Sequence, residues 1–275
     1  MAHRPIVTLT TDFGTNDHFV GAVKGVILDI VPEAAIVDIS HAVQAFDVLD
    51  GALTISQTYS YFPTGTVHMI VVDPGVGTAR RPIIASSDGY HFVAPDNGVL
   101  SMIYAKEERI HVRHVTAEHY FHQPVSNTFH GRDIFAPVAA YLAKMVDSHK
   151  FGDEIEDYVR FAAPKPKTAG ENRIRAVVLK VDRFGNLISN VTPADVPALF
   201  AGKAGFKIVV GNKEITEIRA NYAEGAPGEV FGILGSMGYL EIVANRAAAA
   251  QITGAGKGSE VSIILGEGVA AGKGA

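Results

Sequence analysis

Apolar positions in the first half of the chain fall into two alternating rhythms. Pro5–Thr11 (PIVTLTT) is a β-branched run that predicts a buried strand. Residues 18–31 (HFVGAVKGVILDIV) place Val20, Val23, Ile27 and Ile30 at helical spacing, and Pro32 stops the run. Strands predicted at 35–40 (AIVDIS) and 67–73 (VHMIVVD) flank a helix-like stretch around 48–60. Strand, helix, strand, helix, strand with short links is the pattern of a parallel α/β sheet. Residues 82–94 read as a hairpin turning at Asp88-Gly89. The segment 131–146 is helical in its later part, with Pro137 putting the helix start nearer 135.

Residues 163–173 (APKPKTAGENR) are proline-rich and polar and read as a linker. Beyond them the rhythm changes to short strands (RAVVLKVDRFGNLISNV, FKIVVGNKEITEI, EVFGILGSMGYLEIVAN, SEVSIILGE) with Gly and Asn turns and no convincing helices between. This predicts a small antiparallel barrel or sandwich. The fold class is therefore α/β: a mostly parallel, helix-flanked sheet over residues 1–165, then a smaller antiparallel β domain over 166–275. The Gly/Ala-rich residues from 268 are expected to fray.

With 47% hydrophobic and 19% charged residues, the 275-residue chain has the composition of a folded globular protein. A net charge of −5 argues against a nucleic-acid groove or an anionic membrane as partner. The absence of cysteine excludes disulfides, thiolate metal sites and a Cys nucleophile. The start, MAHRPIVTLTTDFG, lacks a signal-peptide apolar region, and no apolar run reaches the ~18 residues that span a bilayer. The expectation is a soluble, cytoplasmic protein.

Four constellations can carry chemistry. Thr10-Thr11-Asp12-Phe13-Gly14 and the following Asp17 lie past the first strand, where open α/β sheets bind ligands. An ionised Asp12 can accept two hydrogen bonds from a ribose diol; the alternative is that Asp12 or Asp17 caps the next helix. Asp73-Pro74-Gly75-Val76-Gly77-Thr78-Ala79-Arg80 leaves the third strand and can fold back to pair Asp73 with Arg80, or it is an ordinary Asp-Pro-Gly turn. It lacks the GxxxxGK[ST] of a phosphate loop. His130, in Phe129-His130-Gly131-Arg132-Asp133, suits general acid or base work, although the chain has 11 histidines. His111, His114, His119 and His122 suggest a metal cluster, but the first two, three apart on a strand, point to opposite faces, and no metal is expected. In the second domain Asn186 can read a purine edge, and Phe184 or Tyr222 can stack on a base. The alternative there is a set of hairpin turns, which also covers Asp182-Arg183-Phe184-Gly185-Asn186 and Gly235-Ser236-Met237-Gly238.

Together and in order, TTDFG, VVDPGVGTAR, APDNG, FHGRDIFAPVAA, DRFGN and GSMGYLEIVAN resemble the S-adenosyl-L-methionine (SAM) hydroxide adenosyltransferase family, relatives of the SAM-dependent fluorinase and chlorinase. The resemblance runs from about residue 6 to 266 and implies an α/β amino domain and a β-barrel carboxyl domain. It also implies a homotrimer in which the barrel completes the SAM site of a neighbouring subunit. It implies hydrolysis of SAM to adenosine and L-methionine by attack of water or hydroxide on the ribose C5′, with SAM as substrate and no further cofactor. Carried over, the catalytic set is Asp73, Arg80 and His130, and Asp12 binds the ribose. Asp17 and Asp182 lie near the methionine amino group, Ser236 near its carboxylate, and Asn186 and Tyr222 at the adenine. Asp73 stands where the fluorinase has a tyrosine, Gly131 where it has a serine against fluoride, and Met237 where it has an arginine. A carboxylate 4 Å from a halide would repel it by ~4 kcal/mol at an effective dielectric of 20. A chlorinase-like halide adenosyltransferase, a non-catalytic SAM sensor and a metal-dependent nucleoside or phosphoester hydrolase are the competing readings.

Overall fold

The computed structural model describes residues 4–201 and 205–266, so the fraying expected from 268 lies outside the described residues. The chain divides between Ala163 and Pro164 into two compact units.

In the first unit, β1 (Ile6–Thr11), α1 (Phe19–Ile30), β2 (Ala35–Ser40), α2 (Val48–Ser56) and β3 (Val67–Val71) follow the predicted alternation. They are followed by β4 (Pro82–Ser87), β5 (His91–Pro95), α3 (Ser101–Tyr104), β6 (Ile110–His114) and α4 (Ala136–Ala143). The six-stranded sheet has the order β2-β1-β3-β5-β4-β6. Pairs β1/β2, β1/β3 and β3/β5 are parallel, whereas β4 runs antiparallel to β5 and β6. The β4–β5 hairpin turns at Asp88-Gly89, closed by Ser87 N–H donating to the Tyr90 carbonyl at 3.0 Å. One apolar layer joins Val23 and Ile27 of α1 and Val138 and Leu142 of α4 with Leu9 and Met69 of the sheet. A second joins Ile55 of α2 and Ile103 of α3 with Ile70, Val72 and Phe92. Helices thus cover both faces, as parallel strands require.

Three local expectations are corrected or refined. Neither Asp12 nor Asp17 caps α1: His18 occupies the N-cap position, without a side-chain cap hydrogen bond. The α-helix starts at Ala136, close to the expected 135, but the residues ahead of it are not irregular: Gly131–Phe135 form a π turn leading into α4. Pro137 has no N–H for the Asp133 carbonyl, which instead accepts the His122 N–H at 2.8 Å. The 163–173 segment is not wholly linker: Lys167–Thr168 form β7, paired with the following strand.

The second unit continues with β8 (Arg173–Val181), β9 (Leu187–Ser189), β10 (Phe206–Val210), β11 (Lys213–Ile215), β12 (Ile218–Arg219), β13 (Val230–Leu234), β14 (Leu240–Ala244) and β15 (Glu260–Leu265). The order β11-β10-β15-β8-β9-β14-β13-β12 makes a curled half-barrel, in line with the antiparallel barrel or sandwich expected, except that β12/β13 is a parallel pair. Two short helices also interrupt the strands, α5 (Pro197–Phe200) and α6 (Ala249–Thr253). The core is Ile174, Val178, Leu187, Ile208, Leu240, Ile242, Val261 and Ile263, all inward members of alternating strands. Among the described residues no helix is long and apolar enough to cross a membrane.

Ile27 is fully buried between α1 and the sheet. Ile27→Ala should destabilise the protein by ~2–5 kcal/mol, measured as a lower denaturant midpoint.

Candidate active site

Strands β1 and β3 are neighbours, but the chain leaves β1 toward one side and returns through β3 on the other. Such a switch point opens a crevice past the strand carboxyl ends. Thr11 and Val71 pair at those ends, so Asp12 and the Asp73 loop emerge side by side. Asn97, from the APDNG motif, supports the second exit by donating from Nδ2 to the Val72 carbonyl at 2.8 Å.

The loop from Asp73 folds back through a Thr78 turn, in which Thr78 Oγ1 donates to the Gly75 carbonyl at 2.7 Å. Gly77 has φ +76°, and a Cβ there would run into the Asn127 carbonyl. Only glycine allows the 73–80 loop to lie against the segment that carries His130. Arg80 then donates from Nε to Asp73 Oδ1 at 3.0 Å and from Nη2 to Asp73 Oδ2, a bidentate pair. The two side chains are 9% and 5% exposed. The guanidinium also lies 5.2 Å from the Phe135 ring centroid, within cation–π range.

Arg80 Nη2 also reaches His130 Nδ1 at 2.8 Å. A guanidinium only donates, so Nδ1 is the acceptor and a neutral His130 carries its proton on Nε2. Burial, and then the Arg80 charge, push the His130 pKa below its ordinary value. Arg80 Nη1 is buried and has no hydrogen-bond partner among the described residues. The cluster therefore offers an unused cationic donor, an imidazole N–H and the remaining carboxylate lone pairs.

Asp73 and His130 of this cluster border a cavity of about 400 Å³ lined by Asp12, Phe13, Phe19, Phe46, Asp73, Val76, Thr128, Phe129, His130 and Gly131, among others. Asp12 Oδ2 accepts the Phe46 N–H at 2.9 Å, leaving Oδ1 without a partner among the described residues. Phe13, Phe19 and Phe129 form an aromatic group with centroids 5.2–6.1 Å apart. A side chain at Gly131 would put its Cβ 3.1 Å from Phe13 Cζ, so the missing Cβ leaves room for that wall. Asp17 is exposed and makes no hydrogen bond among the described residues.

The second unit holds another cavity, of about 560 Å³, lined by Phe184, Asn186, Tyr222 and Ala244–Ala248. Asp182 organises the β8–β9 turn: its carboxylate accepts the N–H groups of Phe184 and Asn186 and the Asn186 side-chain amide, at 2.8–2.9 Å. This buries Asn186 and turns Phe184 outward, 78% exposed. The Gly235-Ser236-Met237-Gly238 turn joins β13 to β14, with Ser236 exposed and Met237 half-buried. His111 is exposed and pairs with Glu154 at 2.7 Å. Among the described residues no group of His, Asp and Glu side chains converges as a metal site.

Sequence reasoning missed Phe46 and Glu241. Phe46 is exposed and has φ +65°, and nothing in QAFDVLD marks it. Glu241 had a signal, a lone acid inside the apolar run LEIVA. It is buried against Gly235, and burial, then the nearby Asp182 charge, raise its pKa. Tyr222 feels the same pair of carboxylates.

An α/β unit with an acid, a guanidinium and an imidazole at its switch point, joined to a half-barrel with its own cavity, defines an enzyme architecture. Sequence models of the SAM hydroxide adenosyltransferase N-terminal and C-terminal domains match residues 7–152 and 176–262. The chain belongs to the SAM hydroxide adenosyltransferase family. It is 35% identical to the (R)-S-adenosyl-L-methionine hydrolase of Salinispora tropica, covering 97% of this chain and 100% of that protein. It is 34% identical to the hydrolase of the same name from Methanocaldococcus jannaschii, over 86% of this chain and 87% of that protein. The fluorinase of Nocardia brasiliensis is more distant, at 27% over 96% and 98%. A crystal structure of an uncharacterized conserved protein from Thermotoga maritima superposes with a TM-score of 0.86 at 34% identity, covering 94% of this chain and 99% of that one.

The Arg80 contact has a direct readout. By NMR titration His130 should show a pKa below ~6.5, and Arg80→Met should move it upward as the guanidinium charge is removed.

Proposed function

We propose that this protein hydrolyses SAM to adenosine and L-methionine, and that Asp73, Arg80 and His130 carry the chemistry. The observation that supports this most is the hydrogen-bonded chain from the Asp73 carboxylate through Arg80 to His130 at the edge of one cavity.

Water attacks C5′ of the ribose. The C5′–S bond breaks with its electron pair going to sulfur, so the sulfonium leaves as neutral methionine. Water needs no strong base for this step, because its protons become acidic as the C–O bond forms. Arg80 Nη1, a buried donor without a partner among the described residues, holds the attacking oxygen and favours its anionic form. His130 donates from Nε2 to the same oxygen. The proton passes to Asp73, which retains acceptor lone pairs beyond those used by Arg80, and then to solvent. The phenylalanine wall keeps the reaction dry, which strengthens the attraction between nucleophile and sulfonium.

Asp12 takes the ribose hydroxyls with its free Oδ1. Asn186 reads the adenine edge, with Phe184 or Tyr222 stacked on the base. Glu241 and Asp182, two neighbouring carboxylates, receive the methionine ammonium with Asp17, and Ser236 and the Met237 backbone receive its carboxylate. No cofactor beyond SAM and water is required. The homotrimer of this reading, in which one subunit's second unit completes another's site, is tested by the mass of the native particle in light scattering.

Turnover in ¹⁸O-water should place the label on the adenosine 5′-oxygen by mass spectrometry. Unlabelled adenosine, a halogenated nucleoside, or SAM binding without methionine release would reject the hydrolase reading. Asp73→Asn should lower kcat by ~10²–10⁴-fold while SAM affinity changes little. The rate should also fall on acidification with an apparent pKa below ~6.5, because a protonated His130 would turn Nδ1–H against the guanidinium.

A further inference from the structure

The segment after β2 grips the exit of β1 through four hydrogen bonds. Gly14 N–H donates to the His41 carbonyl at 2.7 Å, and Val43 N–H to the Thr11 carbonyl at 3.3 Å. Phe46 N–H donates to Asp12 Oδ2 at 2.9 Å, and the Thr11 hydroxyl meets His41 Nδ1 at 2.8 Å. The last contact is buried, with Thr11 1% and His41 7% exposed. On its far side His41 Nε2 lies at an ion-pair distance of 3.0 Å from Asp38 Oδ1, with its ring N–H not aligned for a hydrogen bond, and Asp38 Oδ2 accepts from Lys24 Nζ at 2.6 Å.

The charges beside this line favour one order of donors. Burial pushes the Asp38 carboxyl upward, but the contacts of Lys24 and His41 with it outweigh that and hold it below its ordinary value. The carboxylate charge 3.0 Å from Nε2 favours the ring proton on that nitrogen, which leaves Nδ1 to present its lone pair. Thr11 Oγ1–H must then donate to Nδ1, which aims an oxygen lone pair at the Phe13 N–H, 3.3 Å away. Asp, His and a hydroxyl in line resemble a nucleophilic triad, but Thr11 is closed to substrate.

We propose that Asp38, His41 and Thr11 form a positioning relay that locks the backbone on both sides of Asp12, so that its carboxylate meets the ribose hydroxyls already oriented. This rests on the reading of Asp12 as the ribose ligand. A carboxylate carried on a loop selects a diol only if the loop is held still, and here the hold comes from the buried Thr11–His41 contact, braced from the surface by Asp38, not from a helix or strand.

Two measurements separate the relay from that reading. Imidazole ¹⁵N NMR should find His41 as the Nε2–H tautomer, and Thr11→Val should shift its Nδ1 resonance; an Nδ1–H tautomer overturns the relay whatever the site binds. Calorimetry of adenosine against 2′-deoxyadenosine then tests the consequence. The folded protein should prefer adenosine by ~10-fold or more, as expected for a hydroxyl on a charged acceptor. Thr11→Val should collapse that ratio to below ~3-fold, and Thr11→Ser should restore it. General loss of stability would weaken both nucleosides and leave the ratio in place, so an unchanged ratio in Thr11→Val overturns the proposal. No preference in the wild type, with the Nε2–H tautomer present, overturns the link from relay to ribose and the assignment of Asp12 with it.

Discussion

A guanidinium can only donate, and the corner formed by Asp73, Arg80 and His130 is built around that constraint. Arg80 stands between a carboxylate and an imidazole, so both must accept from it. Asp73 is thereby held in orientation, and His130 is held with its lone pair toward the guanidinium and its proton on the far nitrogen. Taking the three groups into a mostly buried place is tolerable only because each satisfies the next; removing one partner of such a pair leaves an unpaired charge, at a cost of about 3–5 kcal/mol. The same constraint leaves one guanidinium nitrogen buried without a partner among the described residues.

The corner is positioned by chain topology and by one contact that excludes a side chain. Adjacent parallel strands deliver Asp12 and Asp73 to the same rim, and Gly77 lets the Asp73 loop pass against Asn127, next to His130. The π turn after His130 comes from Pro137, whose missing N–H frees the Asp133 carbonyl for His122. Backbone irregularity of this kind is commonly found beside functional groups. In the second unit the same economy appears in Asp182, which spends its carboxylate on its own turn and in doing so exposes Phe184 and buries Asn186.

Much of the fold was legible because its signals are local. The strands at 35–40 and from 67, and the helix after residue 18, follow from β-branched runs and 3.6-residue spacing, which burial of one face enforces. The open edge of the half-barrel was not legible, because closure depends on strand pairs distant in sequence: β11 and β12 end the sheet instead of pairing with each other. The capping role considered for Asp12 and Asp17 failed for a related reason. Asp12 is drawn to the Phe46 N–H, a partner 34 residues away.

Asp73, Arg80 and His130 were singled out by the resemblance of ordered motifs, while the residues read by themselves left an ordinary turn and a surface histidine equally open. Tertiary structure decided how they act. Which nitrogen of His130 accepts, which nitrogen of Arg80 is left over, and that Phe46 lines the first cavity while Glu241 is buried near Asp182 all depend on distances across loops that local sequence does not encode. Residue type sets what a group can donate or accept, and only the folded chain determines which partner it meets.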